Sequence, residues 1–129
     1  MGRDAAEHTP RQGVFARLLD RITATSEELE AQDLMEESRD RGSVPVKDCR
    51  GGQLAEVSGT IRALTLRPVG GVPALEAEVY DGSGTIKVVW LGRRRIVGIE
   101  PGTSLSVRGR VTYRGGDPMI FNPSYELHA

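Results

Sequence analysis

The hydrophobic period of this chain changes from helical to extended near residue 53, and that change limits the folds that it can adopt. Residues 55–63 read AEVSGTIRA, with small or apolar side chains alternating with polar ones. Residues 105–113 read LSVRGRVTY and alternate in the same way. A period of two is typical of a strand with one buried face. We therefore predict that the chain after residue 53 forms a sheet.

Five strands are predicted in this part of the chain, separated by glycine-containing turns. The strands cover residues 55–63, 75–80, 85–91, 105–113 and the closing segment DPMIFNPSYEL. Asp81-Gly82-Ser83-Gly84 and Arg114-Gly115-Gly116-Asp117 predict tight reversals. Gly59 predicts a bulge in the first strand. Residues 92–99 are long enough for one or two helical turns.

This pattern predicts a mainly β protein, a five-stranded antiparallel Greek-key barrel of the OB-fold type with a short helical insert between strands three and four. A six-stranded sandwich is the alternative, but long strands with a glycine bulge favour a small barrel that bends around its own core. Pro123 in the closing strand suits an open seam, where its missing N–H faces no neighbouring strand.

A helical leader precedes the barrel. Apolar residues recur at helical spacing over residues 12–23, and Thr25-Ser26-Glu27-Glu28 predicts a capping box that begins a second helix. Gly42 is predicted to end that helix. The expected organisation is therefore a partly flexible helical leader over residues 1–41, a linker over 42–52 and the barrel over 53–127.

The charge of the chain is unevenly distributed. Residues 1–50 contain eight Lys/Arg against eleven Asp/Glu, whereas residues 51–129 contain nine against seven, so the sheet-forming part is the basic one. Cys49 is the single cysteine, which excludes an intramolecular disulfide and fits a reducing cytoplasm. No run of eighteen apolar residues is present, so we expect neither a membrane span nor membrane binding.

Four segments carry a resemblance to known nucleic-acid-binding domains: VSGTIRAL (57–64), VYDGSGTIKVVWL (79–91), IEPGTSLSVRGRV (99–111) and MIFNPSYEL (119–127). In order and spacing they resemble the OB domains of aminoacyl-tRNA synthetases (the tRNA-anticodon type) and of helicases. The ending is most similar to the wedge OB domain of the branch-migration helicase RecG. The chain with its leader looks like a small stand-alone OB-fold protein of actinobacteria. The resemblance implies a nucleic-acid-binding module without a motor, because no Walker A segment is present.

An OB barrel binds nucleic acid across strands two and three and between the loops that join strands one and two and strands four and five. Arg67 is expected at the mouth of the first loop, LRPVGGVP, and Arg114 at the start of the second, YRGGD. Cations at these places would contact phosphates.

Further candidates come from the strands and from a basic cluster. Arg62, Lys87, Arg108 and Arg110 point outward by alternation, and Tyr80 is the best stacking residue of strand two. The predicted binding residues are Arg62, Arg67, Tyr80, Lys87, Arg93, Arg94, Arg95, Arg110 and Arg114. Trp90 is expected in the core. Glu76 and Glu78 share the expected binding face and would repel phosphate.

No enzyme signature, cofactor motif or metal site is expected. The two histidines, His8 and His128, lie in predicted tails without a partner at metal-ligand spacing. The first hypothesis is therefore a non-catalytic module that binds single-stranded or branched DNA, or RNA, through a basic groove. The alternative is a protein-interaction module whose acidic leader docks a protein partner or a second protomer, with weak or no nucleic-acid binding.

Overall fold

The structure, a computed structural model, describes residues 10–129, with side chains from residue 24 onward. Residues 1–9 of the predicted leader lie outside the described residues. The chain divides into two compact units, residues 1–30 and 31–129. None of the described helices is long and apolar enough to cross a membrane.

Helix α1 runs without a break from Pro10–Asp40. The prediction of a second helix that begins at a capping box was wrong, because Thr25 lies in the helix interior. The surrounding residues are mainly Glu, Leu, Arg, Gln and Ala, which favour helix continuation. The helix ends as predicted at Gly42, which has a φ of +73°. The Ser43 N–H donates to the Ser38 carbonyl at 3.0 Å, and the Gly42 N–H donates to the Arg39 carbonyl at 2.9 Å, which is a Schellman cap.

Six strands follow, and a short 3-10 turn at Val46–Asp48 precedes them. The strands are β1 (Leu54–Val69), β2 (Val72–Tyr80), β3 (Thr85–Leu91), β4 (Ser104–Arg114), β5 (Asp117–Phe121) and β6 (Ser124–Leu127). Gly70 and Gly71 join β1 to β2, both with positive φ, as a two-residue type I′ turn requires.

The strands form one sheet that closes partly into a ring. β1 pairs with β2, β2 with β3, β3 with β5, β5 with β4, and β4 pairs again with β1. The β3–β5 pair is parallel and the other pairs are antiparallel. β6 is a sixth strand that pairs antiparallel with β4. The molecule after residue 53 is therefore mainly β, as predicted, but its sheet is not a simple five-stranded one.

The sixth strand arises because the predicted fifth strand is broken at Asn122-Pro123. Asn122 has a φ of +50°. Its N–H donates to the Val89 carbonyl at 2.7 Å, and its Oδ1 accepts from the Leu91 N–H at 2.9 Å. Pro123 is buried between the two strands, so its missing N–H interrupts no ladder.

The first strand contains a bulge, although not at the predicted glycine. The register of β1 against β2 shifts between Ile61 and Ala63, which leaves Arg62 as the extra residue. Gly59 pairs regularly with Leu105. It is a glycine for a different reason, because a Cβ at this position would overlap the carbonyl oxygen of Tyr80.

The predicted helical insert between β3 and β4 is wrong, because the described segment 92–103 contains turns and bends and no helix. Gly92, Gly98 and Gly102 have positive φ, which interrupts any helical run. Ile96 and Ile99 from this segment are buried and join the barrel core.

The core lies inside the ring and consists mainly of β-branched and leucine side chains. Its largest fully buried members are Val57, Ile61, Val79, Ile86, Val88, Leu105, Val107, Val111 and Ile120. Val46 and Cys49, from residues 42–52, belong to the same cluster. The Val44 N–H also donates to the Glu56 carbonyl at 2.8 Å, so this segment is held to the sheet.

Candidate nucleic-acid interface

The strand register brings several of the predicted binding residues onto one outer surface. Leu75, Ala77 and Val79 of β2 are buried in the core. The alternate residues of β2 therefore point away from the core, and partners across a ladder share a face. Glu78 pairs with Lys87, Tyr80 with Thr85, Glu76 with Val89, and Val89 with Phe121. We call this surface of β1, β2, β3 and β5, with the adjoining end of β4, the outer face.

Arg62 and Tyr80 form a cation–π pair at one end of the outer face. The Arg62 guanidinium carbon lies 4.2 Å from the centre of the Tyr80 ring. Arg62 is the bulge residue of β1, and Tyr80 is the last residue of β2. The pairing brings together two residues that the sequence predicted as separate candidates, and it covers one side of the tyrosine ring with a cation.

Glu76 holds two of the predicted cations in the middle of the outer face. Its Oε2 lies 3.2 Å from an Arg67 guanidinium nitrogen and 3.9 Å from the Lys87 Nζ. The Glu76 side chain is 8% exposed, compared with 51% for Arg67 and 35% for Lys87. The carboxylate that was expected to repel phosphate is therefore covered and paired, whereas both cations remain open to solvent.

Arg67 was predicted at the mouth of a loop. It lies on a strand instead, because β1 continues to Val69. The connection between β1 and β2 is consequently a two-residue turn. Arg67 pairs with Ala74 in the ladder, which places it on the outer face beside Glu76.

A second cation–π pair lies at the β4–β5 side of the outer face. The Arg114 guanidinium carbon is 5.2 Å from the centre of the Phe121 ring. Both residues line an open cleft of about 430 Å³ together with Arg110 and Thr112. An Arg110 guanidinium nitrogen donates to the Gly52 carbonyl at 2.6 Å. Arg114 is the last residue of β4, next to the glycine pair of the hairpin.

Phe121 was not predicted as a site residue. The alternation Met119-Ile120-Phe121 contained the signal, because a buried Ile120 requires its two neighbours to face outward. The sequence alone did not show which of the alternating residues would be inside.

Arg93, Arg94 and Arg95 lie after β3 in the segment that joins it to β4, and all three are exposed. Leu91 pairs with Ala74, so this cluster follows the end of β3 that adjoins the β1–β2 hairpin. Within the described residues none of the three arginines has an ion-pair partner.

Trp90 of β3 and Tyr125 of β6 have structural roles. Trp90 is 5% exposed, which confirms its predicted place in the core. Its Nε1 donates to the Pro123 carbonyl at 3.3 Å, and its ring packs edge-on against Tyr125 with 5.8 Å between centroids. These contacts hold β6 beside the ring of strands.

His128 has a partner that the sequence did not reveal. Its Nε2 lies 2.7 Å from the Ser106 Oγ, which lies 2.6 Å from the Ser58 Oγ. Ser58 in turn lies 2.5 Å from the Ser43 Oγ. These hydrogen bonds connect the residue after β6, the strands β4 and β1, and the residue after Gly42. They form only when these elements pack together.

Part of this chain is similar in fold to part of a solved structure. No protein-family model matches the chain, and no curated protein matches it. A structure of RecG bound to a three-way DNA junction matches with a TM-score of 0.55 and 19% sequence identity. The match covers 66% of this chain and 12% of the RecG chain. At this level of identity the similarity shows a common fold.

Proposed function

We propose that residues 54–127 form an OB-fold barrel that binds single-stranded or branched nucleic acid across the outer face. The strand order β1-β2-β3-β5-β4 with return to β1 supports this fold. The similarity to part of RecG, in a structure that contains a DNA junction, supports nucleic acid as the ligand class. Titration with both single-stranded DNA and single-stranded RNA distinguishes the two ligands.

The observation that carries the proposal is the grouping of cations and aromatic rings on one face. The outer face carries five cations and three carboxylates: Arg62, Arg67, Lys87, Arg110, Arg114, Glu76, Glu78 and Asp117. Such an excess of positive charge favours a phosphate backbone. Bases stack on aromatic rings and on guanidinium planes, and the two cation–π pairs offer both kinds of surface.

The dimensions of the outer face suit an extended strand of a few nucleotides. From Ala74 to Tyr80 the strand β2 extends over about 20 Å. Glu76 lies between these ends and keeps Arg67 and Lys87 in place. A strand crossing the face would meet Arg67 at one end and the Arg62–Tyr80 pair at the other. We propose that this binding involves no catalysis by the barrel.

Fluorescence anisotropy tests the proposal with labelled single-stranded DNA, single-stranded RNA and a forked duplex, at low salt and at about 0.15 M salt. We expect salt-sensitive binding of at least one ligand. The double variant Arg62→Gln/Arg114→Gln should lower its affinity by about tenfold or more and reduce the salt dependence by about two counterions.

The matched control is Arg108→Gln, since Arg108 is exposed on the same strand as Arg114 but lies beside Ser124 of β6 and does not line the cleft of Arg110, Arg114 and Phe121. An equal loss in the control would indicate general charge attraction. A salt-independent signal, or no binding of any of the three ligands at low salt, would refute the proposal.

A second candidate function is protein binding by the helical leader. Residues 24–30 are all exposed, Leu29 is 55% exposed, and the leader up to residue 30 is a compact unit by itself. An exposed, acidic helix of this kind could dock a protein partner or a second copy of the chain.

A further inference from the structure

A second concave site lies outside the outer face, beside the β2–β3 hairpin. It is a pocket of about 480 Å³ between the end of helix α1, the residues around the 3-10 turn and Asp81. Pockets that hold small molecules commonly measure about 300–1,000 Å³. The volume alone therefore suits a ligand of the size of a single nucleotide.

Hydrogen bonds and close packing fix the walls of this pocket. The Val46 N–H donates to Asp81 Oδ2 at 2.8 Å, and the Lys47 N–H donates to the Ser83 Oγ at 3.2 Å. On the helix side, a Cβ at Gly82 would overlap the carbonyl oxygen of Ala31, so the helix and the hairpin are in direct contact. The pocket is thus a built feature of residues 31–129.

Two cations line the pocket and are available to a ligand. Arg39 and Lys47 are exposed, and among the described residues neither has an ion-pair partner. They come from different walls, one from the last turn of the helix and the other from the 3-10 turn. Two cations from different elements that line one pocket are suited to a phosphate group.

The negative groups nearby are largely satisfied by the protein. The two Asp81 oxygens accept hydrogen bonds from the Val46, Ser83 and Gly84 N–H groups and from the Ser83 hydroxyl. The Schellman cap satisfies the carbonyls of Ser38 and Arg39 at the helix end. Asp48 is the exposed carboxylate of the pocket, and it can accept hydrogen bonds from a hydroxyl or an amino group.

Ser38 and two apolar residues complete the lining of the pocket. Ser38 is 3% exposed, and its Oγ is a buried side-chain atom without a hydrogen-bond partner among the described residues. Met35 and Pro45 line the same pocket and are half-buried. They provide an apolar surface for the flat face of a base.

We propose that this pocket binds a nucleoside phosphate. Arg39 and Lys47 hold the phosphate, Met35 and Pro45 contact the base, and Asp48 accepts hydrogen bonds from the sugar or the base. The ligand is either a free nucleotide or the phosphorylated end of a strand, since Asp81 directly follows Tyr80 of the outer face. The pocket shares no residue with the outer face, so binding of a free nucleotide does not depend on nucleic-acid binding there.

Titration of the full chain with adenosine monophosphate, followed by amide chemical shifts in NMR spectra, tests the proposal. We expect saturable shifts at Ser38, Ser43 and Lys47, and weaker binding of adenosine and of inorganic phosphate. The double variant Arg39→Gln/Lys47→Gln should bind adenosine monophosphate at least about tenfold more weakly. Arg50→Gln is the matched control, because Arg50 is an exposed cation of the same segment that does not line the pocket.

Three results would overturn the proposal: no saturable shifts at these residues, equal binding of adenosine and adenosine monophosphate, or equal losses in the double variant and in Arg50→Gln. If the nucleotide binds, a 5′-phosphorylated oligonucleotide and its 5′-hydroxyl counterpart distinguish a free nucleotide from a strand end as the ligand. Preference for the phosphorylated oligonucleotide over the free nucleotide identifies the strand end, and the reverse preference identifies the free nucleotide.

Discussion

Glu76 determines how much of the positive charge on the outer face is available to a phosphate. Its carboxylate is almost fully covered and lies within 4 Å of both cations, at 3.2 Å from Arg67 and 3.9 Å from Lys87. Each ion pair reduces the attraction of its cation for an incoming anion. The same contacts order two long side chains that would otherwise move freely. For the proposed binding of nucleic acid, the charge of Glu76 is therefore unfavourable. The order that Glu76 gives to the Arg67 and Lys87 side chains is favourable.

Replacing Glu76 with Gln separates these two effects. The amide oxygen can still accept a hydrogen bond from Arg67, but the negative charge is lost. We expect single-stranded nucleic acid to bind about two- to tenfold more tightly at low salt, with a steeper salt dependence. Anisotropy titrations at several salt concentrations measure both quantities.

The control for this variant is Glu126→Gln, which removes an exposed carboxylate from β6, outside the outer face. Unchanged affinity in Glu76→Gln would show that Arg67 and Lys87 do not contact the ligand. Weaker binding would show that their positions matter more than the charge of Glu76.

At the scale of elements, the break between β5 and β6 allows the two halves of the closing segment to pair with different parts of the sheet. β5 pairs with β3 and β4, whereas β6 pairs with the earlier half of β4. Asn122 forms the break, because its positive φ redirects the chain while its side chain caps the Leu91 N–H. Asparagine tolerates this backbone region better than most residues with a side chain.

Substitutions at Asn122 should follow the order that these two roles predict. Asn122→Asp keeps the acceptor and should change the free energy of unfolding little, and Asn122→Gly should lose only the hydrogen bond, about 0.5–1.5 kcal/mol. Asn122→Ala loses the hydrogen bond and adds backbone strain, for a total of about 2–3 kcal/mol. Urea unfolding measures the series.

Ser124→Ala is the matched control in the same segment, since the Ser124 hydroxyl is exposed and lies 3.5 Å from its acceptor. Its free energy of unfolding should stay close to that of the wild type. If Asn122→Ala were as stable as Asn122→Gly, the positive φ would not be a constraint at this position.

At the scale of the whole molecule, the boundary between the two compact units lies inside helix α1. Residues 31–40 of the helix belong with the barrel, where Ala31 and Met35 contact Gly82. The predicted boundary after residue 41 would separate this last part of the helix from the hairpin that it packs against. The division after residue 30 leaves those contacts intact.

Two truncations test this boundary. Removal of residues 1–30 should change the melting temperature by no more than about 2 °C, whereas removal of residues 1–41 should lower it by about 5 °C or more. The larger effect is expected because the second truncation exposes Gly82 and deletes Ser38 and Arg39, whose carbonyls accept the hydrogen bonds of Gly42 and Ser43. Circular dichroism during thermal unfolding measures both.

The shorter truncation also tests the second candidate function. If the leader joins two copies of the chain, removal of residues 1–30 should reduce the mass in solution from that of a dimer to that of a monomer, as measured by light scattering. An unchanged mass and an unchanged set of captured proteins would contradict a docking role for the leader. Equal melting temperatures of the two truncated chains would contradict the proposed boundary.

The sequence by itself determined the local features of this protein. Alternation located the strands at residues 55–63 and 105–113, because a half-buried strand needs a period of two. The nearly continuous apolar run after Gly84 predicted Thr85–Leu91 to the residue. Gly42 marked the helix end, because a left-handed residue is easily formed only by glycine. The outward direction of Tyr80 and Lys87 followed from the same alternation.

The tertiary structure alone decided which of these residues act together. The bulge at Arg62, the pairing of Glu76 with two cations and the Arg114–Phe121 contact join residues that are far apart in the chain. The pocket that includes Ser38 and Asp81 likewise joins a helix to a hairpin. Local patterns depend on neighbours along the chain, whereas these contacts depend on the closure of the sheet and on helix docking, which no short segment encodes.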